Sequence, residues 1–248
     1  MSGNPYESPD PISDTPPQKK RPGVRFLELL AVTAIIAVVL AMLLSPSRSR
    51  LPDHRLQCMN NLKNIALALI SYSEKHHTMP PAYTVDKDGQ PLHSWRTLIL
   101  PYLDQEALYS TIDLAKPWND AANAEACKIG LDVFLCPNAV LPKCETTYLA
   151  IVAPGGCFHP TEPRPLSAIT DKYSETLMLI EVDPEHAVHW MAPQDADESM
   201  VLGFGTAGKL PHSQRPNAAF VDGSVRYLEA EMPAAQRRAL ISIAGNDN

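Results

Sequence analysis

The feature that most constrains this chain is the run from Phe26 to Leu44, Phe-Leu-Glu-Leu-Leu-Ala-Val-Thr-Ala-Ile-Ile-Ala-Val-Val-Leu-Ala-Met-Leu-Leu. As a helix rising about 1.5 Å per residue it comes close to the ~30 Å hydrocarbon thickness of a bilayer. A buried core helix of that length would show a polar stripe, and this segment is apolar all round. It reads as a membrane span, residues 24–45. Before it, residues 1–23 are rich in Pro, Ser and acid and read as a disordered leader. Lys19, Lys20, Arg21 and Arg25 form a compact basic group ahead of the span, against the more dispersed Arg48, Arg50 and Arg55 after it. The positive-inside rule then places the N-terminus in the cytoplasm and residues 46–248 outside the inner membrane.

Of the 248 residues, 45 % are hydrophobic, enough for a sizeable core, and 24 are proline, which argues for a loop-rich body over a helix bundle. The net charge of −7 with no basic cluster in the body excludes nucleic acid as a natural partner. No C-x₂-C pair occurs among the five cysteines, so zinc-finger chemistry is set aside and no metal or cofactor is expected.

Within the body, Asp53 is placed to cap a helix running to about His77, with Leu56, Met59, Leu62, Ile65, Leu69 and Tyr72 forming its apolar face. Cys58 beside that face reads as a small buried hydrophobe. Met79-Pro80-Pro81 ends the helix, Asp88-Gly89 marks a turn, and short helices flank Pro101. Tyr148–Val152, Thr176–Ile180 and Ala218–Val221 have strand length and composition. Asp222-Gly223 reads as a two-residue hairpin turn, pairing Phe220 with Val225 and Ala218 with Tyr227. The class is therefore α+β, a long N-terminal helix whose span continues into a packed helix on a mainly antiparallel sheet.

Two resemblances follow. Gly23-Val-Arg-Phe-Leu-Glu28 ahead of an apolar helix resembles the processing site of type IV prepilins and type II secretion pseudopilins. That resemblance implies cleavage by a prepilin peptidase after Gly23 and methylation of Val24 as the new N-terminus. It also implies pairing of Glu28 with the terminal amine of a neighbouring pseudopilin subunit. Val24 and Arg25 stand where the family usually carries Phe and an uncharged residue. A second set of motifs occurs in order: Cys58-Met-Asn-Asn-Leu62, Met79-Pro80-Pro81, Ser94-Trp-Arg-Thr-Leu-Ile-Leu-Pro-Tyr-Leu103, Phe134-Leu-Cys-Pro137, and Glu181 near Trp190. Last comes H-x₉-DG, from His212 to Asp222-Gly223. Together they resemble a large bacterial family of pseudopilin-like proteins of unassigned function, which implies a pilin-like fold.

Candidate chemistry is thin. His212 with Asp222 and Gly223 reads as a structural latch more readily than as a metal, ligand or catalytic site. His186 and His189 lie near Glu181, Asp183 and Glu185, but Asp183-Pro184 predicts a turn where a metal pair three apart needs a helix. The acidic run Asp195–Glu198 reads as a solvated loop, and Gly203–Gly208 lacks the strand-to-helix context of a nucleotide loop. No G-x-S-x-G elbow or selectable nucleophile set is present, so a non-enzymatic protein is expected. Four cysteines of an exported body allow three complete pairings, of which Cys136–Cys144 is the favoured bond because two prolines lie between them. The leading expectation is a membrane-anchored pseudopilin-like assembly protein. The alternative is a membrane-anchored solute- or carbohydrate-binding module using Trp95, Tyr102, Tyr109 and Trp118.

Overall fold

A computed structural model of the chain describes residues 23–44, 54–203, 215–229 and 231–245. Its contacts divide the chain into two units, Met1–Arg50 and Leu51–Asn248.

The first unit contributes helix α1, Gly23–Leu44. Its described side chains run from Phe26 to Leu40 and are exposed, Leu27 at 71 % and Val39 still at 48 %. Among the described residues no helix is long and apolar enough to cross a membrane. The stretch with described side chains is shorter than the roughly 20 residues a span requires. Residues 45–53, with Pro46, Pro52 and Asp53, lie outside the described residues, as does the leader. The expected continuation of one helix into the next therefore falls outside them too.

The second unit is α+β. Helix α2, His54–His76, opens it and closes at His77, whose φ of 60° places it in the left-handed region where helices commonly stop. Lys75 and His76 in its last turn favour the negative end of the helix dipole. Short strands β1 (Thr78–Met79), β2 (Tyr83–Val85) and β3 (Pro91–Ser94) follow, with Gly89 at φ 79° turning the β2–β3 hairpin. Ser94 caps α3 (Trp95–Leu98) through its hydroxyl, and Pro101 sits at the start of a 3₁₀ turn, Leu100–Tyr102. Helices α4 (Glu106–Tyr109) and α5 (Ala124–Cys127) carry the chain through the middle region. Then come β4 (Glu145–Thr146), β5 (Tyr148–Val152), β6 (Arg164–Pro165), β7 (Leu177–Glu181), β8 (Val188–His189) and β9 (Ala196–Asp197). Helix α6 (Glu198–Gly203), β10 (Asn217–Phe220), β11 (Val225–Tyr227) and α7 (Ala234–Ile241) complete it.

The main sheet has the order β11-β10-β7-β5-β9, antiparallel except for the β5–β9 pair. Helix α2 covers one face, where Leu62, Ile65, Ala66 and Leu69 share a core with Tyr148, Ala150, Leu179 and Ala219. On the other face Leu149, Ile151, Ile180, Ala218 and Phe220 pack with Val201 of α6 and Ile241 of α7. Burial on both sides explains why β5 and β7 read as continuous apolar runs rather than alternating ones. A bulge sits in β7: Leu179 opposes Ala219 and Leu177 opposes Phe220, leaving Met178 as the extra residue.

Two sequence expectations are corrected here. The apolar stripe of α2 begins at Cys58, because Leu56 is 57 % exposed. The C-terminal hairpin pairs one residue away from the expected register: Ala219 opposes Val225, Ala218 opposes Arg226 and Asn217 opposes Tyr227. The loop holds three residues, Val221-Asp222-Gly223, closed by Gly223 N–H to the Phe220 carbonyl and Phe220 N–H to the Ser224 carbonyl. Only Gly223 has positive φ, 80°, so a type I′ turn is excluded and a type I turn with a glycine bulge takes its place. A one-residue slip exchanges faces, so Arg226 lies over the Phe220 ring, 4.0 Å from its centroid, and Tyr227 is 42 % exposed.

Candidate functional site

Several motif residues of the body meet where α2 faces one end of the central strands β10, β7 and β5. Cys58 projects from α2, and Cys136 comes from the segment after the 3₁₀ turn Asp132–Phe134. Their sulfurs lie 2.7 Å apart, both buried. Asn61, one helical turn on from Cys58, donates its side-chain amide to the carbonyls of Asp132 (3.0 Å) and Leu135 (2.8 Å), which clamps that segment to the helix. Glu181 at the end of β7 brings a carboxylate oxygen into the cluster; it and both sulfurs lie within 4.8 Å of one another. Asn217 of β10 donates to Glu181 Oε2 at 2.6 Å. Tyr148 of β5 closes the cluster, and its phenol is pushed well above its ordinary range by burial first, then by Glu181 and the two thiols.

A second buried group lies beside it. Arg96 sits in the core with 0 % of its side chain exposed and reaches Asp195 Oδ1 at 2.6 Å. Its guanidinium also donates to the Tyr148 carbonyl at 3.2 and 3.0 Å and to Ser94 Oγ at 2.8 Å. Asp195 Oδ1 accepts in addition from Trp95 Nε1 at 3.0 Å and from the Ala150 N–H at 2.8 Å. Burial raises the Asp195 carboxyl and lowers the Arg96 guanidinium, each opposed by the other's charge. The expected solvated acidic loop is thus corrected: its first residue is buried in the core, its charge balanced by Arg96 and its oxygen bonded by Trp95 and Ala150.

The remaining candidates are scattered. Trp95 packs on Phe158 at 5.6 Å, Tyr102 on Tyr72 at 5.9 Å, and Trp118 on His189 at 4.7 Å, so these aromatics serve three separate packing contacts. His186 bonds Asp183 at 2.7 Å, whereas His189 bonds the Cys127 carbonyl at 3.0 Å and has its basicity lowered by burial. Asp222 accepts from the Ser224 N–H at 2.8 Å and belongs to the turn. His212 and residues 204–208 of the glycine-rich stretch lie outside the described residues. Gly23 and Val24 begin α1, and Glu28 is exposed on it. A cleft of about 250 Å³ between Tyr83, Val152, Pro160 and Asp197 is smaller than the ~300–1,000 Å³ of typical ligand pockets.

The cluster that sequence reasoning missed is Cys58, Cys136 and Glu181, the one group of potential metal ligands among the described residues. All three residues lie in quoted motifs, but 78 residues separate the cysteines, and no local spacing signals their meeting. Cys144, the expected partner of Cys136, instead neighbours Cys127, whose thiol is raised by burial and by Cys144. Thiolates and a carboxylate are a donor set zinc accepts, yet two zinc-bound sulfurs stand about 3.8 Å apart in a tetrahedral site. The observed approach is closer than that.

Residues 54–155 match the family model of a protein of unknown function, DUF1559. This match covers α2 through β5, the stretch that holds Cys58, Asn61, Arg96, Cys136 and Tyr148. No curated protein and no solved structure matches the chain.

Proposed function

We propose that this protein is a membrane-anchored, pilin-like structural subunit associated with a type IV pilus or type II secretion-like system. Its body lies outside the inner membrane, and it works by assembly rather than catalysis. The observation that carries this reading is α1: Leu29, Leu30, Val32, Ile35, Ile36, Val38, Val39 and Leu40 are all exposed, an apolar surface suited to lipid or other apolar helices. The described motif residues add weight, because Asn61, Trp95, Arg96, Tyr148 and Glu181 point inward and hold the body together. Prepilin peptidase would cut between Gly23 and Val24, and Glu28 would meet the freed amine of the next subunit.

Intact mass and N-terminal sequencing of the protein recovered from host membranes test this. A chain beginning at Val24, with or without a methyl group, is the expected result. A chain beginning at Met1 would overturn the processing step and take away the amine assigned to Glu28. The solute- or carbohydrate-binding alternative would need the aromatics to share one concave face, whereas Tyr102 and Tyr109 neighbour one another, Trp95 is fully buried against Phe158 and Trp118 packs on His189.

A further inference from the structure

We propose that Cys58 and Cys136 are a modification site: they are oxidised to a disulfide that staples α2 to the Leu131–Pro137 segment. Non-bonded heavy atoms settle about 3.5–4.0 Å apart, and a disulfide holds its sulfurs at about 2.05 Å. At 2.7 Å the two thiols are already inside ordinary contact distance. The backbone around them is fixed independently, because the Asn61 amide holds the carbonyls of Asp132 and Leu135 on the segment leading to Cys136. From 2.7 Å to a bond of about 2.05 Å the sulfurs need to approach by less than about 1 Å.

The chemistry is thiol–disulfide exchange with a low-molecular-weight or protein disulfide as oxidant. The thiolate of one cysteine attacks a sulfur of the oxidant and expels one thiolate, leaving a mixed disulfide. The second cysteine then attacks the protein sulfur and expels the other thiolate. Two electrons pass from the cysteines to the oxidant, and the two cysteine protons end on the two released thiols. Glu181, with an oxygen within 4.8 Å of both sulfurs, is placed to take up a proton as the second thiol ionises. Cys58 is 0 % exposed and Cys136 2 %, so no oxidant reaches the folded pair. The mixed disulfide therefore forms before the Leu131–Pro137 segment docks, docking brings the second thiol and Glu181 to it to close the bond, and the closed bond is shielded from reductant. The test does not depend on where the body resides, because an added oxidant supplies the two-electron acceptor.

The test uses the full chain, unfolded and reduced in denaturant, then refolded in detergent with a mixture of reduced and oxidised glutathione. Remaining thiols are alkylated in denaturant, and peptides are mapped without reduction. The expected product is a Cys58–Cys136 link that persists in the Cys127→Ser/Cys144→Ser double variant. It should resist dithiothreitol until the protein is unfolded. Reducing it should lower Tm by about 5–15 °C, as loop closure of this length implies. Free thiols at both positions, a dominant Cys136–Cys144 link, or stoichiometric zinc with both thiols retained would each overturn the proposal. Because the double variant leaves Cys58 and Cys136 untouched, misfolding of a Cys58→Ser chain would not decide the result.

Discussion

Individual side chains in this body are chosen for what burial does to them. Arg96 and Asp195 tolerate the interior only as a pair, with the guanidinium further bonded to the Tyr148 carbonyl and Ser94. His93 is a neutral counterpart, buried at 0 % exposure with Nε2 facing the carbonyls of Lys116 (2.8 Å) and Asp113 (3.3 Å). Two acceptors around Nε2 place the hydrogen there, so Nδ1 is bare, and it has no hydrogen-bond partner. A proton added to Nδ1 would be buried without an acceptor, and burial accordingly lowers the histidine's basicity. The unfolded chain then binds a proton more readily than the folded one, so stability is fully present above the unfolded value near pH 6.5. It falls as the pH drops through the window below, by at most about 1.4 kcal/mol per pH unit for this residue. Tm measured from pH 7.5 to 5 should decline, and His93→Gln, which keeps a donor for the two carbonyls, should flatten that decline. An unchanged slope in the variant would show that His93 does not control it.

At the scale of elements, the C-terminal hairpin is fixed against α2 by its turn. A Cβ added at Gly223 would stand 3.1 Å from Ile70 Cδ1 and 3.7 Å from Leu67 Cδ2, at a φ of 80° that disfavours any side chain. Gly89 has nearly the same φ, 79°, with nothing within 4 Å of such an atom. Both alanine variants should therefore lose about 1–2 kcal/mol from the left-handed backbone, and Gly223→Ala should lose more because it also crowds α2. Urea unfolding of the pair isolates that difference; equal losses would mean Ile70 yields freely. The same hairpin marks where sequence reading ran out. Its two strands and its Asp-Gly turn are legible locally, but the choice between a two- and a three-residue loop depends on docking against Ile70, which lies far away in sequence. Likewise the C-terminal end of α2 is legible to within a residue, and Leu62, Ile65 and Leu69 follow from periodicity. The exposure of Leu56 and the burial of Asp195 do not follow, since each depends on what tertiary structure sets beside it. Of the candidate cluster, the three residues could be picked from their motifs but not brought together, because nothing local records that β7 ends where α2 begins.

Across the whole molecule, the body has two cores of its own, drawn from residues between Cys58 and Ile243. Buried apolar area in these cores stabilises the body, while the described apolar side chains of α1 are exposed. This separation leads to a paired expectation. A chain starting at Leu51 should remain soluble without detergent and unfold in one cooperative transition. The full chain should require detergent and co-sediment with host membranes. Circular dichroism melts of the shortened chain and fractionation of the full one check the two halves separately. A shortened chain with no cooperative melt would mean that the N-terminal unit is part of the folding unit. A full chain that stays in the soluble fraction would mean that α1 is covered by protein rather than lipid. In either case the inward-facing motif residues would still define the body, because their hydrogen bonds close within residues 58–217.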